Sequence, residues 1–154
     1  MKAVTLTQPW ATAVARGVKR IETRGWSTGY RGWLAIHAAK GWTVADREFA
    51  LEAAFPYLGL YPEQYPRGVV VCVAKLVDVR PVEKLPRVSV EDWLFGNFEP
   101  GRFGWVLEDV YAFGEPVPAV GKQGLWDLAP ETVAEMRRQR FGDADELGNP
   151  DARA

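Results

Sequence analysis

The sequence predicts an α+β fold: a small mixed β-barrel, PUA-like in outline, of about six strands with two to three flanking helices. Three observations carry this. Short apolar or alternating segments recur from residue 3 to residue 128. Only two or three segments show helical spacing. The strand–helix–strand rhythm of a parallel sheet is missing, and no internal repeat or low-complexity segment interrupts the chain.

Taken in order, Ala3-Val4-Thr5-Leu6-Thr7 alternates apolar residues with hydroxyls, the pattern of a half-buried strand. A helix is expected over residues 9–17. Thr7 is placed to cap it, and Pro9 suits a first turn whose N–H groups lack partners in any case. Gly17 stops it. Gln8 has both an amide donor and an acceptor and could read the edge of a base or cap the helix; capping by Thr7 leaves it freer for a ligand. Residues 18–24 alternate and read as a strand, Ser27-Thr28-Gly29 as a turn, and residues 33–38 as the next strand. Thr43 caps a helix over residues 44–55, and a connection rich in Pro and Tyr follows at 56–67. Residues 69–79 form the strongest strand, a β-branched run. Residues 80–102 make a long link with a short helix at 90–95. A strand follows over 103–110, and Glu115-Pro116-Val117-Pro118 is expected to end its regularity. Residues 124–128 read as a last short strand, and Pro130 opens a helix over 130–141. One domain over residues 1–141 is expected, with 142–154 as a frayed acidic tail.

Composition narrows the function. The chain of 154 residues has 19 Lys and Arg against 20 Asp and Glu, a formal net charge of -1. A polyanion partner must therefore meet a local basic patch, because the molecule has no global positive field. Cys72 and His37 are the only residues of their types, and no metal-ligand spacing appears. No metal or cofactor is expected. Neither a leader nor an apolar run of membrane length is present, so a cytoplasmic protein without a membrane partner is expected. The Gly-x-Ser-x-Gly elbow of acyl transfer is absent. Gly121-Lys122-Gln123-Gly124 lacks the pattern of a nucleotide-triphosphatase loop, though Lys122 adds positive charge for an anionic ligand.

The most informative stretch is 8–24, which sets Lys19, Glu22 and Arg24 within six positions beside Trp10 and Trp26. Side chains two apart on a strand share a face, so Glu22, Arg24 and Trp26 should lie on one side. Two readings are open. In one, Glu22 and Gln8 hydrogen-bond a ligand, Lys19 supplies a mobile charge, and Arg24 clamps a phosphate or orients Glu22. In the other, the charges form a surface ion-pair ladder on an edge strand. Trp10, Trp26 and Tyr30 offer flat faces on which a base stacks; the other reading makes Trp10 and Trp33 core, and for Trp33 that is the better one. Arg31 either touches phosphate or ends a strand in solvent. His37 is either an internal hydrogen-bonder or a pH-sensitive group at a pocket. The aromatic residues between Tyr57 and Tyr65 and between Trp93 and Phe98 suggest an exposed patch for a protein partner.

These motifs resemble the ASCH domain, a branch of the PUA-like superfamily. The resemblance rests on Gln8-Pro9-Trp10-Ala11, on Gly17-x-Lys19-x-x-Glu22-x-Arg24-x-Trp26 and on Tyr30-Arg31-Gly32-x-Leu34-x-Ile36-His37-Ala38. It continues through Tyr65-Pro66-x-Gly68, Phe103-x-Trp105-Val106-Leu107 and Gly121-x-x-Gly124-Leu125-Trp126. It covers most of residues 3–128. It implies a β-barrel with a cleft beside the first helix that holds RNA or a nucleotide-like ligand. Lys19, Glu22 and Arg24 would line the cleft, with Gln8, Trp10 and Trp26 around them. Some small relatives hydrolyse N4-acetylcytidine with a Lys at the position of Lys19 and a Thr where this chain has Glu22. The alternative is thus a metal-free amidohydrolase, Lys19 acting as nucleophile or base and Glu22 moving the proton. Other relatives are considered RNA-cleaving enzymes or transcription-coactivator modules.

Overall fold

The computed structural model describes residues 1–141. The expected tail, 142–154, lies outside the described residues. Six strands form one mixed sheet in the order β2-β5-β4-β3-β1-β6. They are β1 (Lys2–Leu6), β2 (Ile21–Arg24), β3 (Gly32–Ala38), β4 (Val69–Pro81), β5 (Phe103–Pro118) and β6 (Trp126–Asp127). β1 runs parallel to β3, and the other pairings are antiparallel.

Helices cover both faces, so β3 and the first half of β4 are buried on both sides. Strand alternation sorts the side chains accordingly. Val4, Leu34, Ile36, Cys72 and Trp105 pack with Ala11 and Val14 of α1 (Trp10–Ala15). Ala3, Trp33, Ala35, Val73 and Phe113 pack on the opposite face, where Met136 comes from α5 (Pro130–Phe141). A third cluster joins Ala13 of α1 to Ala50, Ala54 and Leu58, and to Phe95 of α4 (Val90–Phe95). Cys72 is fully buried, which raises its thiol pKa far above the usual range.

Five expectations need correction. The sheet is not closed into a barrel: β2 and β6 are its two edges and no ladder joins them. β6 has only two residues and covers β1 only at Lys2 and Ala3. β5 does not end at Val110 but continues to Pro118, because Ala112 pairs with Cys72 and Val117 resumes pairing with Val70. The intervening Glu115 and Pro116 sit in a bulge, where a proline without an N–H is tolerated. The Gln139 side chain of α5 meets both backbone groups of Glu115 there. The second helical run also passes the expected end at 55. It comprises α2 (Val44–Phe49), a π-type turn (Ala50–Ala54) and α3 (Phe55–Leu58). Lastly, Thr7 does not cap α1. The Oε1 of Gln8 accepts from Thr12 N at 3.0 Å instead.

Candidate functional site

The seam where a barrel would close is occupied by a side chain. Beyond Ala3 the outer edge of β1 has no strand partner. Its Thr5 carbonyl accepts a hydrogen bond from Arg24 Nη2 of β2 at 2.6 Å. β2 is short and alternates Ile21 and Thr23 inward with Glu22 and Arg24 half-exposed. One guanidinium therefore bridges the two strands, and a hollow lies on each side of it. Thr5 and Arg24 line both.

The narrower hollow has a volume of about 470 Å³. Trp10, Phe49 and Phe95 wall it, Glu22 and Arg24 supply charge, and Asn97 and Arg102 stand at its side. The Trp10 and Phe49 rings stack at 5.1 Å with 14° between planes. Glu22 is held from several directions. Its Oε1 accepts from Thr23 N at 3.0 Å and lies 3.4 Å from Lys19 Nζ, while its Oε2 lies 3.1 Å from Arg24 Nε. Lys19 is completely buried beneath it. The Lys19 Nζ donates to Ile21 O at 2.6 Å and to Phe95 O at 2.9 Å. Gly17, at φ 73°, turns the chain out of α1 so that Lys19 can enter the interior. Asp92 anchors the other wall. Its Oδ1 accepts from Arg20 N at 2.8 Å and Ile21 N at 3.0 Å, serving the edge of β2 where a neighbouring strand is missing.

The wider hollow has a volume of about 1130 Å³. Arg24, Lys40 and Lys122 line it together with Trp26 and His37, and among the described residues no carboxylate does. Trp26 is 36% exposed and meets Trp105 edge-on at 4.9 Å. His37 is buried, and its Nε2 donates to Ala119 O at 2.8 Å. Its Nδ1 lies 3.2 Å from Thr5 Oγ1, which also accepts from Trp126 Nε1 at 3.2 Å. Burial lowers the His37 pKa, and the bond to Ala119 opposes that shift. Gly121 packs directly over the ring: a Cβ there would lie 2.6 Å from His37 Cε1. The 118–124 segment, which carries Lys122, is thus seated on His37 and Thr5.

The structure brings together Arg24, Trp26, His37 and Lys122 on the wide side, and Trp10, Glu22 and Arg24 on the narrow side. Lys19 supports Glu22 from below and is not a lining residue. Gln8 is fully buried, and its Nε2 donates to Pro66 O at 2.7 Å, so both ends of its amide are engaged within the fold. Arg31 lies outside both hollows, on the carbonyls of Thr28 and Tyr30 and 3.9 Å from Asp78. Thr5, Lys40, Asn97 and Arg102 line the hollows without having been singled out in the sequence. Asn97 and Arg102 come from the 80–102 link, where a Gly-Asn-Phe turn after a short helix was the available signal. Among the exposed aromatic residues, Tyr57, Tyr61 and Trp93 face solvent, whereas Tyr65 is buried.

A mixed six-stranded open sheet with helices on both faces defines a small α+β domain. The family model of the ASCH domain matches residues 4–116, and the chain belongs to that family. It is 36% identical over 134 residues to Activating signal cointegrator 1 of Mus musculus and 33% identical over 133 residues to that of Homo sapiens. Each match takes in 81% of this chain and 22% of the relative, so the chain spans about a fifth of their length. A crystal structure of ASCH from Zymomonas mobilis superposes with a TM-score of 0.54 at 15% identity, over 88% of this chain and 92% of that one. A variant of the same protein gives 0.53 at 15% identity, over 88% and 94%. At that identity the likeness concerns the fold. Among the described residues, no helix is long and apolar enough to cross a membrane.

Proposed function

We propose that this protein binds RNA or a nucleotide-like ligand across the seam, with a base in the narrower hollow and phosphate in the wider one. The observation that carries the reading is the division of chemistry at Arg24. On one side stand a fixed carboxylate and aromatic walls. On the other stand Lys40 and Lys122 with no carboxylate among the described residues, in a chain whose overall charge is -1. A base amino or imino group donates to Glu22, and Trp10 offers it a ring face. Arg24 and Lys122 meet phosphate, and Trp26 at the rim supports a neighbouring base. Membership in a family resembling RNA-binding PUA-like domains agrees with this.

A hydrolase working through Lys19 has less support. Its nitrogen is turned to two carbonyls and Glu22, and it would have to leave them to attack a substrate. The test of binding is tryptophan fluorescence, since Trp10 and Trp26 line the two hollows. Cytidine monophosphate is expected to quench it, and Arg24→Gln to weaken that response by about tenfold or more, as loss of a charged hydrogen bond implies. No response to mononucleotides or to short RNA would remove the proposal.

A further inference from the structure

We propose that the wide hollow continues as a track for a single-stranded oligonucleotide, passing Lys40 to a cluster formed by Arg67, Trp42 and Arg47. The ligand is then a strand of several nucleotides and not a lone nucleotide. This inference rests on the reading of the seam as a nucleotide site.

Continuity comes from the backbone. Lys40 is exposed at the end of β3 and lines the wide hollow, as does Gly68. Gly68 N donates to Ala38 O at 2.8 Å, which fixes the preceding residue, Arg67, at the hollow's rim. Arg67 Nη1 donates to the Lys40 carbonyl. The guanidinium carbon of Arg67 lies 5.2 Å from the Trp42 ring centre, and that of Arg47 lies 5.8 Å away. Trp42 is itself braced edge-on against Tyr65 at 6.0 Å. The arginines are therefore held beside a fixed ring, with exposed guanidinium groups available to a ligand.

Charge supports the same path. Lys40, Arg47, Arg67 and Lys122 have no ion-pair partner among the described residues, although the sequence holds 20 acidic residues. Asp46, next to Arg47, is engaged in capping α2 through Thr43 N. A line of cations without ion-pair partners among the described residues, with an interleaved aromatic ring, leading outward from the wide hollow, matches a phosphate backbone with stacking bases. A duplex is disfavoured, because a paired base must leave its stack to enter the narrow hollow.

The experiment compares a labelled uridine mononucleotide with a uridine hexanucleotide, each titrated at several salt concentrations. The hexamer should bind more tightly. Its affinity should fall with salt at a log–log slope of about -3, for four phosphates met by Arg24, Lys122, Lys40 and Arg67. The double variant Arg67→Gln, Arg47→Gln should flatten that slope and weaken the hexamer about tenfold more than the mononucleotide. Circular dichroism melting checks that the variant folds, both positions being exposed. Equal binding of the two ligands, or a hexamer indifferent to the double variant, overturns the track and leaves the seam site standing. Binding of neither ligand overturns the seam reading itself. Displacement of the hexamer by polyglutamate of matched charge overturns the track in favour of an acidic-peptide surface.

Discussion

The two sides of Arg24 differ in how their polar groups are engaged. On the narrow side nearly every charge is held: Glu22 by Thr23 N, Lys19 and Arg24, and Lys19 by Ile21 O and Phe95 O. On the wide side Lys40 and Lys122 have no ion-pair partner among the described residues. A fixed acceptor suits discrimination among base edges, whereas loosely held cations suit attraction of phosphate, which positions a ligand without identifying it. Predictions for the two sides therefore differ in kind. Perturbing the narrow side should cost stability first, and perturbing the wide side should mainly alter loop seating and anion affinity.

The largest expected effect belongs to Lys19→Met. It removes the donor to two carbonyls and leaves Glu22 without one of its partners, in a part of the fold with no water access at Lys19. Breaking a buried pair from one side costs about 3–5 kcal/mol. Urea unfolding measures it. A loss under about 1 kcal/mol, the range of exposed ion pairs, would mean that the narrow side is no better anchored than the wide one.

That prediction also marks what the sequence could tell. The alternation of Ile21, Glu22, Thr23 and Arg24 was legible, since a strand's period of two is local. The burial of Lys19 was not, because one of its acceptors is the carbonyl of Phe95, 76 residues away. A lysine just after a helix-stopping glycine is ordinarily solvated, and nothing nearby in sequence signals otherwise. For Gln8 the choice between a base edge and the helix start was open for a related reason. Thr7 is the better local cap, but the Gln8 amide can serve Thr12 N and Pro66 O together, and Pro66 lies far along the chain. The strand pattern predicted a mixed sheet of the right number of strands. It could not show that β6 stops after two residues, which is what leaves the seam open for Arg24.

Gly121→Ala sharpens the comparison from the wide side. The added Cβ would stand 2.6 Å from His37 Cε1, 2.8 Å from its Nδ1 and 3.1 Å from Thr5 Oγ1. Either the 118–124 segment lifts or His37 gives way. The expected cost is about 1–3 kcal/mol, typical of overpacking. Lifting the segment also displaces Lys122, so binding of inorganic phosphate should weaken more than binding of an uncharged nucleoside. Equal weakening of both would show that the two hollows respond as one.

The smallest effect is the pH dependence set by His37, and its sign follows from burial. The folded-state pKa lies below the usual value of 6.5, chiefly through desolvation and despite the bond to Ala119. Below 6.5 the unfolded chain takes up a proton that the folded chain refuses, so stability falls as pH drops from there and levels off beneath the folded-state value. Above 6.5 the group contributes no slope. His37→Gln should abolish that part of the acid-side loss in paired urea titrations. Because His37 is the only histidine in the chain, its Cε1 proton gives a single titrating signal by NMR. Arg24, Lys40 and Lys122 line the same hollow as His37, and an anion bound among them favours a charged imidazole. Adding inorganic phosphate should therefore raise the His37 midpoint, and an uncharged nucleoside should leave it in place. A midpoint that moves with the nucleoside and not with phosphate would exchange the roles assigned to the two sides of Arg24.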